Sequence, residues 1–151
     1  MTGVHDYLLT ALVTLAVTGL VVLVHYEGLR LLERITAGRT LRRHRSALLA
    51  IMAALLALHV LEIVCYGLAY WWMQALPDAG FVRGEPKMSL FDGIYLSAMA
   101  YSTASFGELS PLGALRVMVG MEAIAGLMMI AWSASFTYMA MTTLWPERQR
   151  P

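Results

Sequence analysis

The chain has 151 residues, 59% of them hydrophobic and only 14% charged, with a formal net charge of +1 and a mean hydropathy of +0.64. So few charges exclude an ordinary soluble domain, in which about a quarter of residues are charged, and no nucleic-acid partner is expected. The single cysteine, Cys65, excludes an intrachain disulfide.

A helix needs about 20 mostly apolar residues to cross the roughly 30 Å hydrocarbon core of a bilayer. The chain has room for three crossings and one shorter apolar segment, with no soluble ligand domain left over. The first segment runs from about Tyr7 to Leu32. Nothing basic precedes it and no small-residue cleavage site follows, so it reads as an uncleaved span. Its inner end carries His25, Glu27, Arg30, Glu33 and Arg34, and the connection that follows carries Arg39, Arg42, Arg43 and Arg45. The excess of arginine places this connection in the cytoplasm and the N-terminus outside. Arg39, Arg42 and Arg45 are three apart, as in a voltage-sensing helix. A sensor, however, interleaves its charges with apolar residues inside a full span, whereas these lie in a linker with Gly and Thr, so residues 1–46 read as a span and a topogenic loop.

The second span, 47–73, ends outside in Tyr70, Trp71 and Trp72, an interfacial aromatic belt. Residues 74–89 hold two prolines, two glycines and charges of both signs, which suits a solvated turret. From Phe91 to Pro111 the sequence FDGIYLSAMAYSTASFGELSP is too short and polar to span, yet it lies between two long apolar segments. Non-helical backbone at membrane depth survives only when buried in protein or lining a water-filled path, so this stretch reads as a re-entrant loop. The third span, 112–145, closes with Trp145 at the inner interface and Pro146, and Arg148 and Arg150 follow on the cytoplasmic side.

Thr103-Ala104-Ser105-Phe106-Gly107-Glu108 resembles the Thr-Val-Gly-Tyr-Gly-Asp selectivity filter of tetrameric potassium channels. The likeness continues in Phe91 to Ser97, which resembles the family's pore helix, in Pro111 as the post-filter proline and in Gly126 as the inner-helix hinge. The resemblance implies an all-α integral membrane protein: three transmembrane helices plus a re-entrant pore helix and filter loop, assembled as a homotetrameric channel. Its pore module would comprise an outer helix 47–73, turret 74–89, pore helix 90–102, filter 103–108 and inner helix 112–145. The expected setting is a lipid bilayer, the cell's plasma (inner) membrane, with the C-terminus cytoplasmic. Backbone carbonyls of Thr103, Ala104, Ser105, Phe106 and Gly107 would replace the hydration shell of a permeating monovalent cation, potassium or sodium. A ring of Glu108 side chains would attract cations at the outer mouth, and Gly126, Ile130, Ala134 and Tyr138 would form the hinge and inner vestibule. No cofactor, and no metal beyond the permeating cations, is implied. With no nucleophile and base pair in view, no enzymatic activity is expected.

The filter also departs from the family. Phe for Tyr is tolerated and Glu108 keeps the acid, but Ser105 replaces the first filter glycine. A side chain in a left-handed conformation costs about 1–2 kcal/mol. Leu96 and Met99 stand where several members carry Trp and Glu. These changes predict a looser filter with weakened preference for potassium over sodium; the alternative is a non-conducting pore-fold protein with a structural or regulatory role.

Glu62 and Glu122 are expensive residues to place inside a membrane and mark function. Counted from the outer span ends, both lie roughly 15–17 Å deep at about 1.5 Å per residue, where the pore helix should end. They are expected to support the filter, with Tyr101, Ser102 and Arg116 as partners; the alternative is that they merely join helix to helix. His59, Glu62 and Cys65 recur at intervals of three and could suggest a metal site, but one helix alone offers a poor ligand set. Axial ligation of a haem by His25 and His59 would need both imidazoles at one depth, and counting along the spans sets them roughly 10 Å apart.

Overall fold

In hydrocarbon every backbone polar group must be bonded within its own segment, and the three apolar runs accordingly form three long helices. The computed structural model describes residues 4–37, 44–76, 80–84, 87–104 and 109–144. In chain order these form α1 (Val4–Ala37), α2 (His44–Met73), β1 (Phe81–Arg83), α3 (Leu90–Tyr101), β2 (Ser110–Leu112) and α4 (Leu115–Leu144). Within α1, α2 and α4 the stretches Tyr7–Thr36, Ser46–Met73 and Leu115–Thr143 are each long and apolar enough to cross a membrane. The protein is thus an all-α multi-pass membrane protein. Arg39, Arg42 and Arg43 of the basic connection lie outside the described residues, as do Trp145, Arg148 and Arg150.

The short helix α3 begins in a capping box. Ser89 Oγ accepts from the Asp92 backbone N–H at 3.3 Å, and Asp92 Oδ2 accepts from the Ser89 backbone N–H at 2.7 Å, satisfying two donors that a helix start leaves unpaired. The hydrogen bonds from the Ser89 hydroxyl and backbone hold the Asp92 carboxyl below its usual range. With 12 residues, α3 is about 18 Å long, too short to span. The turn preceding it is tied back to α2 by one side chain: the Gln74 amide donates to the Met88 carbonyl at 2.7 Å and accepts from the Met88 N–H at 2.8 Å.

The sequence gives no hint of β structure, yet a short antiparallel ribbon pairs Phe81 with Leu112, Val82 with Pro111 and Arg83 with Ser110. Pro111 fits there because a two-stranded ribbon has an outer edge that needs no N–H. The inner helix consequently starts later than residue 112: Leu112 ends β2, Gly113 turns the chain at φ 69°, and α4 begins at Leu115.

α3 packs in the cleft between α2 and α4. Its core neighbours are Tyr66, Tyr70 and Met73 from α2, Leu115, Met118 and Val119 from α4, and Val21 from α1, around buried Leu96 and Ala100. A second cluster, Leu29, Ile51 and Leu55 with Phe136 and Ala140, joins α1, α2 and α4 toward the C-terminal ends of α1 and α4 and the start of α2. Where α3 crosses α2, Gly67 and Gly93 face each other: a Cβ on Gly93 would stand 2.7 Å from the Gly67 carbonyl oxygen. Small residues let backbones approach where no hydrophobic force drives association in lipid.

Candidate functional site

The C-terminal end of α3 is the point at which the polar groups of this apolar protein converge. Glu62 of α2 and Glu122 of α4 are both fully buried, and each takes hydrogen bonds from α3. Tyr101, the last residue of α3, donates its hydroxyl to Glu62 Oε2. Ser97, one turn earlier, places Oγ 2.5 Å from Glu122 Oε1 and 2.9 Å from the Ile63 carbonyl. Tyr70 of α2 donates to the other oxygen of Glu122. Each acid thus ties α3 to a neighbouring span, and in a medium without water every one of these donors would otherwise be unpaid desolvation.

Two histidines complete the Glu62 end. His25 Nδ1 of α1 lies 2.8 Å from Glu62 Oε1. His59 Nδ1 lies 2.8 Å from the Tyr101 hydroxyl and 3.3 Å from Glu62 Oε2. The ring centroids of His25 and His59 are 5.5 Å apart. The expected 10 Å mismatch in depth is therefore wrong. α1 continues past Leu32 to Ala37, so His25 lies further from the C-terminal end of its helix than the apolar run alone implies, and the helices bring the two rings level. Both rings turn Nδ1 toward one carboxylate instead of facing each other across the gap a porphyrin plane would need. α1 is also bonded to α2 through Thr18 and Tyr66, 2.8 Å apart.

Of the partners expected for the acids, Tyr101 reaches Glu62. Ser102 and Arg116 reach neither acid: Ser102 Oγ bonds the Ala98 carbonyl at 2.6 Å, and Arg116 is exposed near the start of α4. Tyr70 differs in the other direction. Grouped by sequence with Trp71 and Trp72 in an interfacial belt, it is instead fully buried, while the two tryptophans are about half exposed. Sequence reasoning missed Tyr70 and Ser97 as ligands of Glu122. The available signal was the spacing of four that puts Tyr66 and Tyr70 on the face of α2 that also carries Glu62 and Cys65.

Beyond Tyr101 the backbone leaves the helix under strain. Ser102 keeps helical angles, and Thr103 then takes φ 56° with its N–H bonded to the Ala100 carbonyl at 3.0 Å. Glycine usually ends helices in this way; a β-branched residue at positive φ is an outlier and costs about 1–2 kcal/mol. The left-handed penalty expected at Ser105 thus has a counterpart two residues earlier. Thr103 and Ala104 are exposed on this chain. Ser105, Phe106, Gly107 and Glu108 lie outside the described residues.

Gly126 is buried in α4 against the same helix end. A Cβ there would stand 2.9 Å from Tyr101 Cα and C, and closer still to the Tyr101 carbonyl oxygen. The glycine expected as a hinge has a packing duty: it admits the end of α3 against α4. α4 runs through it unbroken. Further along, Ile130, Ala134 and Tyr138 are exposed on the isolated chain.

A protein-family model described as an ion channel matches residues 58–143, from the middle of α2 through α4. No curated protein and no solved structure gives a significant match.

Proposed function

The chain belongs to the ion-channel family, as a potassium-channel-type pore module preceded by one further transmembrane helix, and we propose on that basis that it conducts monovalent cations passively through a variant carbonyl filter. In this reading four copies surround a central axis, with the filter opening outward and the arginine-rich connection in the cytoplasm. The observation that carries the proposal is the suspension of α3: a helix too short to span ends beside the filter segment and is bonded there by one acid from each flanking span. A filter needs such bracing because its carbonyls must hold their spacing while ions pass. Where several relatives carry Trp and Glu, this chain has Leu96, buried in the core, and Met99. Glu62 with Tyr101, and Glu122 with Ser97 and Tyr70, take over the brace. The negative end of the α3 dipole adds a favourable field for a cation below the filter.

With Ser105 in place of glycine, the filter discriminates weakly between potassium and sodium. Flux through purified protein in liposomes, under potassium and sodium gradients, for wild type and Ser105→Gly tests this. Flux of both ions, narrowed to potassium by the glycine, is the expected result. Potassium-selective flux in wild type would overturn the loosened filter. Absence of flux from both proteins would favour the other reading, a pore fold without conduction, for which the positive φ of Thr103 and the replacement of the filter glycine at position 105 by serine are the motive.

A further inference from the structure

The Glu122 brace is satisfied by two hydroxyls, but the Glu62 end gathers more donor chemistry than a brace requires. His25, His59 and Glu62 each present a ligand atom, and these atoms all lie within 4.8 Å of one another. We infer that this cluster is a binding site for a divalent transition-metal ion of the zinc type, held by His25 Nδ1, His59 Nδ1 and the Glu62 carboxylate, with the Tyr101 hydroxyl as fourth ligand. Two imidazole nitrogens and a carboxylate are a donor set that zinc favours, and here they come from two helices with the fourth group from a third.

Four observations bear on the site. First, the spacing is near that of a filled site. Metal–ligand bonds of about 2.0–2.1 Å put adjacent ligand atoms of a tetrahedron roughly 3.3 Å apart. The present separations are 2.8 Å for His25 Nδ1 to Glu62 Oε1, 3.3 Å for His59 Nδ1 to Glu62 Oε2 and 2.8 Å for His59 Nδ1 to the Tyr101 hydroxyl. Second, the outer atom of one ligand has a partner: Ser133 Oγ of α4 stands 3.5 Å from His25 Nε2. Metal-bound histidines commonly donate their second N–H in this way, which fixes the tautomer and aims the ring. Third, the surroundings exclude water. His25 and Glu62 are fully buried, and the Trp132 ring lies 5.4 Å from the His25 ring. Fourth, there is an entrance, since the His59 side chain keeps 17% of its surface exposed.

The proton balance is simple. Each imidazole binds as the neutral ring with its proton on Nε2, where that of His25 meets Ser133. Tyr101 gives up its proton as it joins, and the proton leaves by the partly exposed His59 side of the site. The phenolate and the Glu62 carboxylate then match the two positive charges of the ion, as an apolar setting demands. The ion would staple α1 and α2 to the end of α3, two residues before Thr103. Binding itself does not depend on whether the pore conducts.

The test is metal uptake by the full chain, purified without a histidine tag, stripped with chelator and titrated in detergent with cobalt(II) as a visible-absorption probe and then with zinc. Wild type is expected to take up one ion per chain with the intense absorption of a four-coordinate site. His25→Ala and His59→Ala should each weaken binding by more than the 10–100-fold typical of an outer partner, and Ser133→Ala by about 10-fold. Cys65→Ser should bind as wild type does, which separates this site from the single-helix set His59, Glu62 and Cys65. Failure of wild type to take up one ion per chain overturns the proposal by itself, whatever the variants do. So does uptake that survives His25→Ala or is lost in Cys65→Ser.

Discussion

Replacing Gly126 by alanine separates two duties that predict opposite signs. As a flexible point in a helix, the glycine costs stability, and alanine would return about 0.8–1.0 kcal/mol. As the seat of α3, it cannot carry a methyl group. Tyr101 Cα would have to retreat about 0.5 Å from 2.9 Å to reach ordinary contact at 3.4 Å, and the carbonyl oxygen further. Overpacking of this kind costs about 1–3 kcal/mol, and its upper part applies because the obstacle is backbone, not a side chain that can rotate. The net expectation is a loss of about 1–2 kcal/mol, which for a chain of this size lowers the melting temperature by roughly 2–8 °C. Gly120 on the same helix provides the control. A Cβ there meets nothing within 4 Å, so Gly120→Ala should raise the midpoint by about 2–4 °C through helix propensity. Thermal melts of the three proteins in one detergent, read by tryptophan fluorescence, decide the matter. A Gly126→Ala protein that melts at or above wild type would refute the seat.

Three further outcomes can be checked with the same material. Glu122→Gln puts an amide N–H₂ against hydroxyls that now donate to a carboxyl, and an unsatisfied buried group costs about 1–3 kcal/mol; unchanged assembly, flux and ion selectivity in that variant would remove Glu122 from the brace. Thr103→Gly should stabilise the chain by about 1 kcal/mol by releasing the left-handed strain, and a melting midpoint below wild type would show that the threonine is held there by contacts worth more than the strain. The depressed carboxyl of Asp92 gives the third: its stabilisation is complete above the ordinary aspartate range near pH 4 and disappears as pH falls through the lower folded-state value. Wild type should therefore lose midpoint on acidification more steeply than Ser89→Ala, and equal acid limbs for the two proteins would rule out the capping box as the cause.

The spans, the re-entrant segment and both buried acids were legible because each departs from a uniform apolar background. Length and hydropathy delimit the helices, and a carboxyl inside them is conspicuous. What the sequence did not reveal is rotation. In a soluble helix the polar face betrays which side turns inward, but in a bilayer both sides are apolar, and α2 alternates buried Leu55 with exposed Leu56 without a visible change of chemistry. Tyr70 beside Trp71 illustrates the difficulty: adjacent aromatics point to opposite fates, one toward Glu122 and the other outward. The levels of His25 and His59 were misjudged for a related reason, since apolarity bounds the hydrocarbon crossing and not the helix. The ribbon of Phe81–Arg83 with Ser110–Leu112 joins segments nearly thirty residues apart, and three-residue strands carry too little pattern to be read.

The position of His25 also bears on modularity. The stretch shared with the family begins at residue 58, within α2, which suggests a portable cassette with α1 as an optional attachment. The described contacts argue otherwise: Glu62 takes one of its partners from α1, and so does Tyr66. Excising α1 would leave Glu62 Oε1 and the Tyr66 hydroxyl without these partners inside hydrocarbon, at about 1–3 kcal/mol for each, although Tyr101 and His59 would still hold the other oxygen of Glu62. A graft of this pore into another protein would therefore need the first helix to travel with it, and the boundary of family likeness is not the boundary of the heritable folding unit.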